Sequence, residues 1–153
     1  MITTEWHTGD KDLHEIHAIR RAVFMEEQGV SEEDEMDGTD AGAIHLLVCD
    51  GGVPVATGRL LIDGDIYTLG RIAVIKERRG KGYGDFTVRL LIRRAYELGG
   101  NEQRLHSQSH AVGFYEKLGF VAETDEYMEA GIPHVGMVRC GDIGGECEKN
   151  RFK

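Results

Sequence analysis

The stretch I-A-V-I-K-E-R-R-G-K-G-Y-G-D-F-T-V-R-L-L, residues 72–91, changes its periodicity in the middle. It opens as the end of an apolar strand running from Ile66 to Val74 and breaks at Arg78 to Gly84. It then resumes as a helix through Phe86, Leu90, Leu91, Ala95 and Leu98, stopped by Gly99-Gly100. Such a strand, loop and helix junction gathers backbone N–H groups without helical acceptors at the positive end of the helix dipole. Gly80, Gly82 and Gly84 permit close backbone approach, and Arg78, Arg79 and Lys81 add positive charge. A phosphate group fits there.

Two common phosphate loops are excluded by residue identity. A Walker loop needs a glycine where Ile75 stands and Ser or Thr where Gly82 stands. The dinucleotide fingerprint, started at Gly80 or at Gly82, ends on Asp85 or Thr87 where Gly or Ala is required.

Outward from the loop, the elements alternate without repeats or linkers. Asp10 is placed to cap a helix with an inner stripe of Leu13, Ile16, His17, Arg20, Val23 and Phe24. Ala43 to Cys49, Val53 to Ile62 and Ile66 to Val74 are joined by Asp50-Gly51-Gly52 and Asp63-Gly64-Asp65, which predicts an antiparallel meander. Past the long helix, Arg104 to Ser107 reads as a strand, Ala111 to Leu118 as a short helix, and Phe120 to Thr124 and His134 to Arg139 as closing strands. The expected fold is α/β of the α+β type, a mixed, mostly antiparallel central sheet with helices on both faces. One domain is expected over residues 1–140, with a frayed tail over 141–153.

Composition narrows the class. The 153 residues are 41% hydrophobic and 29% charged, which excludes disorder of the whole chain, and the net charge of −9 argues against duplex nucleic acid as a partner. Cys49, Cys140 and Cys147 are odd in number and lack C-x-x-C spacing, so they support neither a disulfide framework nor a zinc knuckle. Cys49 reads as a packed core thiol. No run approaches the roughly 18 apolar residues of a membrane span. A soluble cytoplasmic protein is expected, as monomer or homodimer, with no membrane partner and no metal.

The residues resemble the GNAT superfamily of acetyl-CoA-dependent N-acetyltransferases. Its acyl-CoA motif R/Q-x-x-G-x-G/A is matched by Arg79, Gly82 and Gly84. A second motif, N-x-x-A-x-x-F/L-Y-x-x-x-G-F, is met by Gln108, Ala111, Phe114, Tyr115, Gly119 and Phe120, with Gln108 standing for Asn. Arg21 to Val30, Ser107 to Tyr115 and Glu129 to Met137 are similar to the ElaA-type branch.

The resemblance implies a GNAT-like acyl-CoA N-acyltransferase fold and acetyl-CoA as co-substrate. Ile72, Ala73 and Val74 would pair with the pantetheine arm, the N–H groups of Arg79, Gly80, Lys81, Gly82, Tyr83 and Gly84 would take the pyrophosphate, and Gln108 would supply an amide contact to pantetheine. An amine would attack the thioester directly, with a backbone N–H near Val74 stabilising the oxyanion. Tyr115 is the expected general acid toward the thiolate, since a phenol is protonated at neutral pH. Glu26, His110, Glu129 and His134 are candidate bases, with Glu129 and His134 preferred; His110 reads as a helix cap or surface group.

The acceptor is expected to be a small-molecule or peptide amine. Between Ala22 and Gly58 there is no Lys or Arg, while Glu26, Glu27, Glu32, Glu33, Asp34, Glu35, Asp37 and Asp40 fall inside it, which favours a cationic amine by steering. Two other classes fit the sequence: a catalytically silent CoA-binding regulatory module, and an acidic protein-interaction domain.

Overall fold

A computed structural model describes residues 1–144. Eight strands form one sheet in the order β1-β2-β3-β4-β5-β8-β6, with β7 also paired to β8. They are β1 (Ile2–Thr8), β2 (Ile44–Asp50), β3 (Val53–Asp63), β4 (Ile66–Val74), β5 (Glu102–Gln108), β6 (Val121–Ala122), β7 (Tyr127–Glu129) and β8 (Ile132–Cys140). The meander β2-β3-β4 is antiparallel as expected, and β4 with β5 is the parallel pair.

The helices are α1 (His14–Arg20), α2 (Glu32–Glu35), α3 (Tyr83–Glu97) and α4 (Val112–Glu116). They cover both faces. On one, Leu13, Ile16, Ile19 and Val23 pack on Leu47, Cys49 and Ala73. On the other, Val88, Leu91, Ile92 and Ala95 of α3 pack on Leu46, Leu60, Leu69 and Leu105. Helix α3 lies so close over β3 that a Cβ on Gly58 would stand 2.5 Å from Leu91 Cδ1. These faces correspond to the fold class read from the sequence.

Several boundaries differ. Helix α1 begins at His14 behind Leu13, with no side chain capping it, so Asp10 does not serve as the cap. The helix then continues from Arg21 to Glu27 as a π-helical segment, in which Gln28 N–H reaches back five residues to Val23 O at 3.1 Å. Strand β1 was not expected, because this edge strand exposes nearly every residue and carries no buried face. The closing strands form a hairpin, β7 to β8, around Ala130 and Gly131, both at positive φ. Cys49 is a buried free thiol, as expected of a packed core residue. From residue 145 onward the expected tail lies outside the described residues.

One irregularity shapes the sheet. In β3 to β4 the register runs Thr57↔Ala73 and then Arg59↔Gly70, so Arg71 and Ile72 together face Gly58. This bulge puts Arg71 at φ +48°, a left-handed conformation costly for a residue with a Cβ, and bends β4 away from β5.

Candidate active site

Strands β4 and β5 pair only at Thr68↔Arg104 and Leu69↔Leu105. Past that point β4 bonds to β3 alone and β5 to β8, so the two parallel strands part and leave a slot. A cavity of about 1330 Å³ occupies it, larger than the roughly 300–1,000 Å³ of an ordinary small-molecule pocket. It is lined by Ile72, Ala73, Val74, Arg79, Gly80, Gly82, Tyr83, Gly84, Gln108, Tyr115, Glu129 and His134. His110 lines it as well, so the candidate residues share one cavity except Lys81 and Glu26, which are not part of its lining.

At the loop end, Gly80 and Gly82 hold φ of +78° and +87°, a region open to glycine and costly for other residues. The N–H groups of Gly80, Lys81, Gly82, Tyr83, Gly84 and Asp85 make no backbone hydrogen bond among the described residues. Phe86, bonding to Gly82 O at 3.0 Å, is the first to do so. Six donors without a backbone acceptor thus lie at the start of a 15-residue helix, where the dipole adds partial positive charge. A Cβ on Gly84 would stand 3.5 Å from Val74 Cγ2 and narrow the slot. Tyr83 contributes only backbone here, because its ring is buried in the core and its hydroxyl donates to Asp50.

In the same cavity, Tyr115 stands edge-on between Phe114 and Phe120, with ring centroids 5.0 and 5.9 Å away. Its hydroxyl has no hydrogen-bond partner among the described residues, and burial pushes the phenol up, so it stays protonated and can donate. His134 is buried and its Nδ1 lies 2.7 Å from Ile132 O. A carbonyl only accepts, so Nδ1 carries the proton and Nε2 of the neutral ring keeps its lone pair. That Nε2 is 3.7 Å from Glu129 Oε2. Tyr127 stacks on His134, and its hydroxyl meets His106 Nδ1.

Gln108 is tied down at both ends of its amide. Its Nε2 donates to Gln28 Oε1 at 2.8 Å, and its Oε1 accepts from His110 Nε2 at 2.8 Å. His110 therefore orients Gln108 and does not cap a helix. The cavity also takes in Glu27, which the sequence marked only as part of the acidic run, and Gln28, Arg71 and His106, which it did not single out. Glu27 and Gln28 both lie inside the ElaA-like segment from Arg21 to Val30.

The acidic run is largely neutralised by arginines from outside it. Arg20 makes bonds of 2.9 and 2.6 Å to the Glu35 carboxylate and 2.8 Å to Asp40. Arg59 bonds Asp37 at 3.0 and 2.9 Å and Asp40 at 3.1 Å, and Arg71 reaches Glu35 and Asp37 at 3.2 Å each. Glu27 pairs with Arg79 and Glu32 with Arg21. Glu35, counted in the acidic run as a source of steering, is only 3% exposed and bound to arginine. Burial pushes the Asp40 carboxyl up, but the Arg20 and Arg59 guanidiniums and His17 hold it down at about 2. Among the carboxylates lining the cavity, Asp34 and Glu129 have no arginine partner among the described residues.

The same arrangement is found in known proteins. Residues 13–139 match the family model described as an acetyltransferase (GNAT) domain. The chain is 44% identical over 135 residues to the YyaT protein of Bacillus subtilis (strain 168), covering 86% of this chain and 91% of that one. Among solved structures, an acyl-CoA N-acyltransferase from Pseudomonas aeruginosa superposes with a TM-score of 0.82 at 27% identity, covering 92% of this chain and all of its own. Escherichia coli ElaA does so at 0.81 and 28%, covering 91% of this chain and 99% of its own. With the parted strands, the glycine loop and the match over nearly the whole described length, the chain belongs to the GNAT family of acyl-CoA-dependent acetyltransferases.

Proposed function

We propose that this acetyltransferase moves the acetyl group of acetyl-CoA to a primary amine by direct attack on the thioester. The observation that carries the reading is the slot between β4 and β5, with unpaired loop N–H groups at one end and the His134–Glu129 pair at the other.

The loop N–H groups from Gly80 to Gly84 hold the pyrophosphate, whereas the Arg79 N–H, expected to join them, is bonded to Lys76 O at 3.4 Å. The free edge of β4 at Ile72, Ala73 and Val74 pairs with pantetheine, and Gln108 offers its remaining amide hydrogen to the same arm. The register supports this for Val74. Ile75 N–H bonds to Val55 O at 3.0 Å on the β3 side, so strand alternation turns the polar groups of Val74 into the slot. The Val74 N–H then faces the position of a developing oxyanion.

An acceptor amine enters as an ammonium and must lose a proton before it attacks. His134 Nε2 takes that proton, and Glu129 steadies the resulting imidazolium. Collapse of the tetrahedral adduct expels the CoA thiolate, toward which the Tyr115 hydroxyl donates, and the second proton of the attacking nitrogen goes to the thiolate, leaving a neutral amide and CoA thiol. A phenol pushed above its ordinary value near 10 is a weaker acid than a thiol of about 8.5, so Tyr115 acts first by hydrogen bonding to the thiolate.

The acceptor is a small-molecule or peptide amine, and a cationic one is favoured by Asp34 and Glu129. The internal ion pairs of Glu27, Glu32, Glu35, Asp37 and Asp40 leave little free charge for a protein-interaction role of the acidic run. The test is CoA release over a panel of polyamines, aminosugars, amino acids and peptide N-termini. Turnover with at least one amine is the expected result. Acetyl-CoA binding without turnover on any of them would favour the silent CoA-binding module.

A further inference from the structure

Arg79 is bound entirely by its own chain, at the edge where the cofactor would lie. Its Nη1 and Nη2 meet the two Glu27 oxygens at 2.5 and 2.6 Å, and its Nε donates to Val74 O at 3.1 Å. The Val74 carbonyl is the slot-facing acceptor on β4 identified above, and Glu27 is the last residue of the π-helical segment. The contact therefore joins two cavity walls that are 52 positions apart in sequence. The next residue, Gln28, makes a second crossing to Gln108 on β5. The Glu27 carboxylate on this guanidinium has the charge and the two-oxygen bite that a phosphate also presents to arginine.

We propose that Glu27 is an internal rival of the cofactor's pyrophosphate: it holds Arg79 across the Val74 edge, and acetyl-CoA must displace that contact to occupy the slot. This rests on the reading of the slot as the acetyl-CoA site. Both side chains are about one-third exposed, so the contact is weak enough to be exchanged and is not a structural lock. Arg79 accordingly gains little net interaction on binding, because it trades one anion for another. Release of Glu27 frees the end of a π-helical segment, a rare conformation that recurs at functional sites. Phe24 and Gln28 of that region line the same cavity, so release of Glu27 couples cofactor arrival to the shape of the rest of the slot.

The test is calorimetric titration of acetyl-CoA into the full-length protein, Glu27→Gln, Arg79→Ala and the double variant, with thermal unfolding to show that each is folded. Glu27→Gln keeps the size and the acceptor oxygen and removes the charge. It is expected to bind acetyl-CoA about two- to fivefold more tightly than the parent, the scale of one exposed ion pair. The gain is expected to vanish in the Arg79→Ala background. Parent binding with equal or weaker affinity in Glu27→Gln overturns the rivalry and leaves the site reading intact, as does a gain that persists without Arg79. No binding by the folded parent overturns both.

Discussion

His134 Nδ1 and Ile132 O stand 2.7 Å apart, within one strand, and this bond decides which nitrogen of the imidazole can act as a base. Because the carbonyl consumes the Nδ1 proton, the lone pair is on Nε2, the atom nearer to Glu129. His134→Gln should retain acetyl-CoA affinity and lower kcat by about 10²–10⁴-fold, the usual scale for a general base. Calorimetry and steady-state kinetics on the same variant check both halves; full turnover would transfer the role to water or to another group.

Tyr115 separates chemistry from packing for a related reason. Its ring is held by Phe114 and Phe120 while its hydroxyl bonds to nothing among the described residues. Tyr115→Phe should therefore leave the unfolding temperature and CoA affinity nearly unchanged and reduce kcat by about 10²–10⁴-fold. A variant with parental kcat would assign Tyr115 to packing alone.

The arginine network beneath the acceptor end predicts a large stability effect from one side chain. Arg20 is fully buried and holds both Glu35 and Asp40. Arg20→Met leaves two buried carboxylates short of a partner and should cost about 3–5 kcal/mol in denaturant unfolding, the range for breaking a buried pair from one side. Arg21→Met, which removes only an exposed pair with Glu32, should cost under about 1 kcal/mol.

The same network sets a pH dependence. Burial lowers the readiness of His45 to protonate, and its buried Nδ1 has no partner, so the unfolded chain takes up this proton first as pH falls. Stability should start to decline below about pH 6.5, the ordinary histidine value. Asp40 is held at about 2, and Asp37 is likewise held well below the carboxylate range by Arg59 and Thr39 despite its burial. Their contribution is complete above about pH 4, the unfolded carboxylate value, and is lost as pH falls toward 2. Unfolding temperature against pH should show both declines, and His45→Gln should remove only the first.

The glycine loop and the meander were legible in the sequence because their signals are local: a change of period, a turn dipeptide, a glycine at a helix start. Tyr115, His134 and Glu129 became candidate site residues only through family resemblance, since a lone tyrosine or histidine has no local signature. The acidic run misled for a physical reason. A window from Ala22 to Gly58 contains no cation, yet Arg20, Arg21, Arg59, Arg71 and Arg79 reach in from both sides of it. Ion pairs between strands and helices distant in sequence cannot be counted within a window. Strand β1 stayed hidden because its exposed residues leave no alternation to read.

If the loop N–H groups at the start of α3 bind the phosphates of acetyl-CoA, a negative charge at Gly82 disturbs that binding more than any neutral change there. Gly82 sits at φ +87°, a conformation that Asn and Asp tolerate to a similar degree, so comparing Gly82→Asp with Gly82→Asn isolates the added charge from the backbone strain. In calorimetric titrations the parent protein should bind acetyl-CoA, and Gly82→Asp should bind at least about tenfold more weakly than Gly82→Asn, as expected for a carboxylate placed against the pyrophosphate. Equal affinities of the two variants, or no binding by the parent, would contradict the account.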